Sequence, residues 1–135
     1  MTEVLDIHPD RVSPRKIARA VELLSSGGLG VIPTDTGYAI VCSANHRHGV
    51  KTLHRIKNQA SEGSKKPLSV LFSDLSDISG YVHSMPNPVF RVLRRTLPGA
   101  YTFILRANKK LGSAALKGRN TLGIRIPDHP ISLAL

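Results

Sequence analysis

Apolar positions along this chain switch repeatedly between helical and strand periodicity, and the switches fall at Pro, Gly and short polar residues. After Ser13-Pro14, a capping residue followed by one that suits a first helical turn, Ile17, Ala18, Val21 and Leu24 recur on one helical face until Gly27-Gly28 ends the pattern. Leu29 to Ile32 reads as a short buried strand closed by Pro33. A second strand, Tyr38 to Cys42, follows the loop Pro33-Thr34-Asp35-Thr36-Gly37. His48 to Lys57 returns to helical spacing with Val50, Leu53 and Ile56 inward. Asn58 to Lys66 holds no apolar residue larger than Ala and reads as a mobile, cationic loop.

Leu68 to Phe72 is the next strand, and Ser73 or Asp74 can cap a short helix containing Leu75 and Ile78. Asn87-Pro88 opens a helix with Val89, Phe90 and Leu93 inward and Arg91, Arg94 and Arg95 outward. Pro98-Gly99 turns the chain into a strand from Tyr101 to Leu105. A basic connector, Arg106 to Asn120, leads to the strand Thr121 to Ile126, and Pro130 starts a helix at Ile131. Strands alternating with helices predict an α/β fold, a mixed open sheet flanked by helices. Little more than one apolar turn follows Pro130, so a single domain over residues 1–135, incomplete at its C-terminus, is expected.

Composition sharpens this picture in two places. Nineteen Lys and Arg against nine Asp and Glu give a formal charge of +10, which favours polyanionic partners. Aromatic residues make up only 4%, with no Trp, which argues against a surface built on base stacking. One Cys excludes an internal disulfide framework and fits a reducing compartment. No apolar run approaches the roughly 18 to 20 residues of a membrane helix, and the first residues lack a signal-peptide core. A cytoplasmic domain is expected, with an organellar form if a longer precursor exists.

Candidate chemistry gathers in three segments. Pro33-Thr34-Asp35-Thr36-Gly37 packs two hydroxyls and a carboxylate between strands, which suits either a small polar ligand or a turn that satisfies its own backbone. Lys57, Lys65 and Lys66 flank the Gly/Ser loop and can either converge on a phosphate or face water. Arg125 sits inside an otherwise apolar strand, where it must find an anion, a structural ion pair or solvent; Thr102 beside Pro98-Gly99 is a weaker candidate. Gly28-Leu29-Gly30 closes a helix and opens a strand, the reverse of a dinucleotide fingerprint. His46 and His48 alternate on an extended segment without a second pair at metal spacing, so no protein-ligated metal is expected. Cys42 reads as a packed thiol, no Ser elbow is present, and no general base can be named.

Taken in order, GGLGVIPTDTGYAIVC, IKNQ with the following KKPLSVLF, LPGAYTFIL and TLGIRIPDHPISLAL resemble the YrdC family of threonylcarbamoyl-adenylate synthases. IHPD, TGYA after PTD, and FRVLRR before PGAYTFIL are most similar to its YciO branch. The resemblance implies a twisted mixed α/β sheet with a concave, positive cavity able to bind double-stranded RNA. It also implies condensation of L-threonine, bicarbonate and ATP, the last as its magnesium complex, into threonylcarbamoyl-adenylate and pyrophosphate for tRNA modification. Carried over by motif, Thr34 and Arg125 would hold threonine, while Lys57, with Lys65 or Lys66, and Thr102 would hold the nucleotide. Two features depart from the synthases: their K-x-R pair reads Lys57-Asn58-Gln59 here, and their later S-x-N element is absent. A non-catalytic, basic RNA-binding module is the alternative reading.

Overall fold

The computed structural model describes residues 1–59 and 66–135. Helix α1 (Pro14–Ser25) ends as its sequence predicts. The Gly27 N–H donates to the Leu24 carbonyl (3.1 Å) and the Gly28 N–H to the Leu23 carbonyl (3.0 Å), satisfying two acceptors of the last helical turn. Gly27 adopts φ +93°, and a Cβ there would meet the His46 ring at 2.3 Å, so only glycine fits this stop.

The chain then enters β1 (Leu29–Thr34), which pairs antiparallel with β2 (Gly37–Cys42) from Leu29 opposite Cys42 to Thr34 opposite Gly37. Pro33 does not close β1, contrary to the expectation from its sequence; it takes a place opposite Tyr38. A two-stranded hairpin leaves alternate N–H groups facing outward, where proline removes nothing from the ladder. The loop between the strands therefore shrinks to Asp35 and Thr36. Helix α2 (Arg47–Gln59) packs against β2. His48 lies in this helix rather than on an extended segment, and the His46 Nδ1 accepts from the Gly49 N–H at 3.3 Å, a local cap.

Beyond the undescribed residues, β3 (Ser69–Leu71) leads to α3 (Leu75–Ser79), whose first turn is capped by Asp74 through the Ser76 N–H at 2.7 Å. Helix α4 (Asn87–Thr96) buries Leu93 fully but leaves Phe90 exposed, correcting its inward assignment. One apolar residue per turn anchors this helix, and Phe90 lies on the flank of that narrow stripe. β4 (Phe103–Arg106) starts two residues later than expected, leaving Tyr101 exposed. Within the basic connector a short helix, α5 (Ser113–Leu116), packs on α2. β5 (Thr121–Arg125) and α6 (Pro130–Ala134) complete the chain, and the Ser132 hydroxyl donates to the Pro33 carbonyl, tying α6 to β1.

β5 is the central strand of a mixed three-stranded sheet, parallel to β3 and antiparallel to β4. The α/β class and mixed strand direction agree with the sequence pattern, with the described strands divided between this sheet and the hairpin. Alternation along β5 decides its two faces. Leu122 and Ile124 point into the core with Ile78, Leu93 and Ile126, while Gly123 and Arg125 fall on the opposite side. Among the described residues no helix is long and apolar enough to cross a membrane.

Candidate functional site

The open face of the β3-β5-β4 sheet carries the polar residues that the strand pattern pushes away from the core. Arg125 ends β5, opposite Leu71, and its Nη2 donates to Asp35 Oδ1 at 2.5 Å and to Thr36 Oγ1 at 2.9 Å. Both charged side chains are 17% exposed, so the hairpin turn and the end of the sheet are joined by a largely dehydrated ion pair. The Arg125 Nε is buried and has no hydrogen-bond partner among the described residues. Thr34 stands one residue away, where its hydroxyl donates to the Gly37 carbonyl (3.0 Å) and accepts from the Thr36 N–H (3.2 Å). The turn therefore satisfies its own backbone, and Thr36, not Thr34, offers its hydroxyl to the guanidinium.

Further along the same face Ser69 lies opposite Gly123. A Cβ at position 123 would come within 2.7 Å of the Ser69 Oγ and 3.4 Å of the Thr102 methyl, so glycine keeps this stretch flat between two hydroxyl residues. Thr102 is exposed here, as a ligand-lining residue must be. Lys57, in the last turn of α2, donates to the Pro67 carbonyl at 2.7 Å. Burial, and then the neighbouring Lys66, push its ammonium below the usual lysine range. Two cations held close together repel each other, and an incoming anion relieves that repulsion. Lys65 lies outside the described residues.

The sequence-assigned residues thus form two groups: the hydroxyl and guanidinium cluster at the end of β5, and the Lys57 and Lys66 pair before β3. Pro67 and Leu71 mark their levels, four residues apart, so the separation along the chain is at most about 14 Å. No direct contact joins the groups among the described residues. A cavity of about 680 Å³ lies beside β3, toward the hairpin, and is lined by Ser69, Leu71, Ile32, Val41 and Tyr81, whereas Arg125, Thr102 and Lys57 sit outside its walls. Cys42 does border it, but burial raises its thiol above the ordinary value, consistent with packing rather than nucleophilic use. Sequence reasoning missed Ser69, which is an unremarkable serine until strand register brings it to Gly123.

A mixed α/β layer with a guanidinium and hydroxyls at the end of its central strand, and two lysines before its edge strand β3, defines the class as an α/β domain with a basic polar edge. Residues 22–135 match the family described as Sua5_yciO_yrdC, telomere recombination, and the chain belongs to that family. It is 37% identical to YciO of Escherichia coli strain K12 across its whole length, and it spans 64% of that relative. The crystal structure of E. coli YciO superposes with a TM-score of 0.88, covering 100% of this chain. The threonylcarbamoyl-AMP synthase of Bacillus subtilis strain 168 is 32% identical over 89% of this chain and 34% of its own, relating the family to that enzyme. P. abyssi Sua5, solved in complex with L-threonine, shares the fold at TM-score 0.82 and 23% identity, covering 92% of this chain and 36% of Sua5.

Proposed function

We propose that this chain binds L-threonine and the phosphates of an ATP–magnesium complex across the open face of the β3-β5-β4 sheet. There it condenses threonine, bicarbonate and ATP into threonylcarbamoyl-adenylate, releasing water and pyrophosphate. The observation that carries the reading is Arg125, whose fork is held at the hairpin turn by a carboxylate and a hydroxyl while its Nε stays buried and unpartnered. Asp35 occupies the position that a substrate carboxylate would take, and exchange of one carboxylate for the other leaves the arginine paired throughout.

The amine of threonine and bicarbonate give a carbamate. A carbamate oxygen then attacks the α-phosphorus, and the bond from phosphorus to the pyrophosphate oxygen breaks. In this reading Lys57 and Lys66, with Lys65, offset the triphosphate charge, Thr102 and Ser69 line the nucleotide path, and Thr34 and Thr36 shape the threonine end. Catalysis rests on positioning and charge neutralisation. Gln59 supplies a neutral amide where the synthases place a second cation, so turnover is slower than theirs. Magnesium arrives with ATP, and the reaction belongs to the cytoplasm. The synthase relative and the threonine-bound Sua5 support this assignment.

Threonine-dependent release of pyrophosphate from ATP in the presence of bicarbonate tests it. Lys57→Ala is expected to lower the rate at least tenfold. Release that does not require threonine overturns the proposal. A second reading, a basic module that binds double-stranded RNA or tRNA without catalysis, draws on the +10 charge and on exposed Arg91, Arg94 and Arg95 of α4.

A further inference from the structure

A second polar recess lies away from the open sheet face, between α2 and α5. Arg47, Lys51 and Arg55 recur at four-residue intervals along α2, which places them on one stripe of the helix, rising about 6 Å per step. Lys117 borders the opposite side, just after α5. All four cations are exposed, and none has a hydrogen-bond or ion-pair partner among the described residues. Together with Ser113 they line a groove of about 630 Å³, within the usual range for small-ligand sites.

Two polar groups at the base of this groove are buried without partners. His54 is 7% exposed and lines the groove; its ring lies near the Ala114 and Ala115 backbone, yet neither nitrogen forms a hydrogen bond of ordinary geometry among the described residues. The Asn58 Oδ1, one helical turn further on, is likewise buried and unpartnered. Buried polar atoms are almost always satisfied, so three orphaned atoms in one recess point to a missing occupant. Their chemistry limits what it is. A neutral imidazole offers one donor and one acceptor, and an amide oxygen offers only acceptance, so the buried end of the ligand must carry hydroxyl or amino donors. The rim offers positive charge alone, so the outer end must be an anion, and a dianion suits several unpaired cations better than a carboxylate.

We propose that the α2–α5 groove is a binding site for a small phosphorylated polyol. Its phosphate is received by Arg47, Lys51, Arg55 and Lys117, and its hydroxyls donate to Asn58 Oδ1 and the acceptor nitrogen of His54. The site is distinct from the one assigned to the sheet face: of the residues given a role there only Gln59 borders the groove, and none of the groups proposed to touch the phosphorylated ligand is among them. A nucleic-acid backbone would meet the rim cations but would leave the buried acceptors unfilled.

Ribose 5-phosphate titrated into the full chain, with the His54 ring followed by NMR, tests the proposal. A saturable shift of the His54 resonances is expected. The doubly substituted Lys51→Glu, Arg55→Glu chain should bind at least tenfold more weakly, the milder Lys51→Gln, Arg55→Gln chain should fall between, and Arg125→Ala should bind within twofold of the unaltered protein. An absent shift, an equal shift in the charge-reversed chain, or loss of binding in Arg125→Ala would overturn it. So would inorganic phosphate binding as tightly as the sugar phosphate, or a short RNA duplex being the sole ligand to perturb His54.

Discussion

Asp35 and Arg125 illustrate how little a residue type says until its partner is known. Each could serve a ligand, and in the structure each serves the other, with both side chains mostly out of water. Removing one member leaves the second charge poorly solvated, a worse outcome than never having buried either. Asp35→Asn is expected to destabilise the fold by about 1 to 3 kcal/mol, read from urea unfolding. His54 gives a second prediction. Burial, with Lys117 and Lys57 nearby, holds its pKa below the ordinary value of about 6.5, against a smaller opposing effect of the Ala114 and Ala115 backbone. The unfolded chain then binds the proton more readily than the folded one. Stability is therefore fully present above about pH 6.5 and declines as pH falls toward the folded-state value. His54→Phe should flatten that part of a melting-temperature profile. Lys57 reverses the sense: a bound phosphate raises its depressed pKa, so ATP binding takes up protons in the alkaline range, measurable by calorimetry in buffers of different ionisation enthalpy.

Among the elements, β5 shows most clearly what patterning can and cannot convey. The sequence marks it as an apolar strand interrupted by Arg125, and the structure resolves that into a core face of Leu122 and Ile124 and an opposite face of Gly123 and Arg125. Ile124 has no exposed surface, and Ile124→Ala should cost about 2 to 5 kcal/mol in urea unfolding. The same pattern is silent about partners. That Ser69 stands opposite Gly123, or that Arg125 reaches back to a hairpin turn formed far earlier in the chain, depends on register and packing between distant segments. Helix α1 was readable at both ends because Pro14 and the paired glycines act locally. Phe90 was misread because amphipathic spacing ranks a residue on the edge of an apolar stripe with those at its centre. Nothing in the helical pattern of α2 marks His54, which is buried where α5 packs on that helix.

At the scale of the whole molecule, charge is the dominant feature, and its distribution matters more than its sum. Cations collect before β3, along α2 and on α4, in three different parts of the fold. Bulk charge predicts attraction to any polyanion but selects no binding mode. If RNA is held through its backbone, affinity should fall with salt at a log-log slope near 0.7 to 0.9 for each phosphate neutralised, as filter binding across a salt series would record. Threonine is expected to respond far less, because one desolvated guanidinium is screened weakly. That contrast separates recognition by a built site from attraction by net charge.

The most direct test of the open sheet face as a substrate site is calorimetric titration of L-threonine, with ATP and magnesium present, into the unaltered chain and into Arg125→Ala. Saturable binding that weakens at least tenfold without the guanidinium is the predicted result. Equal affinity in the two proteins would contradict it.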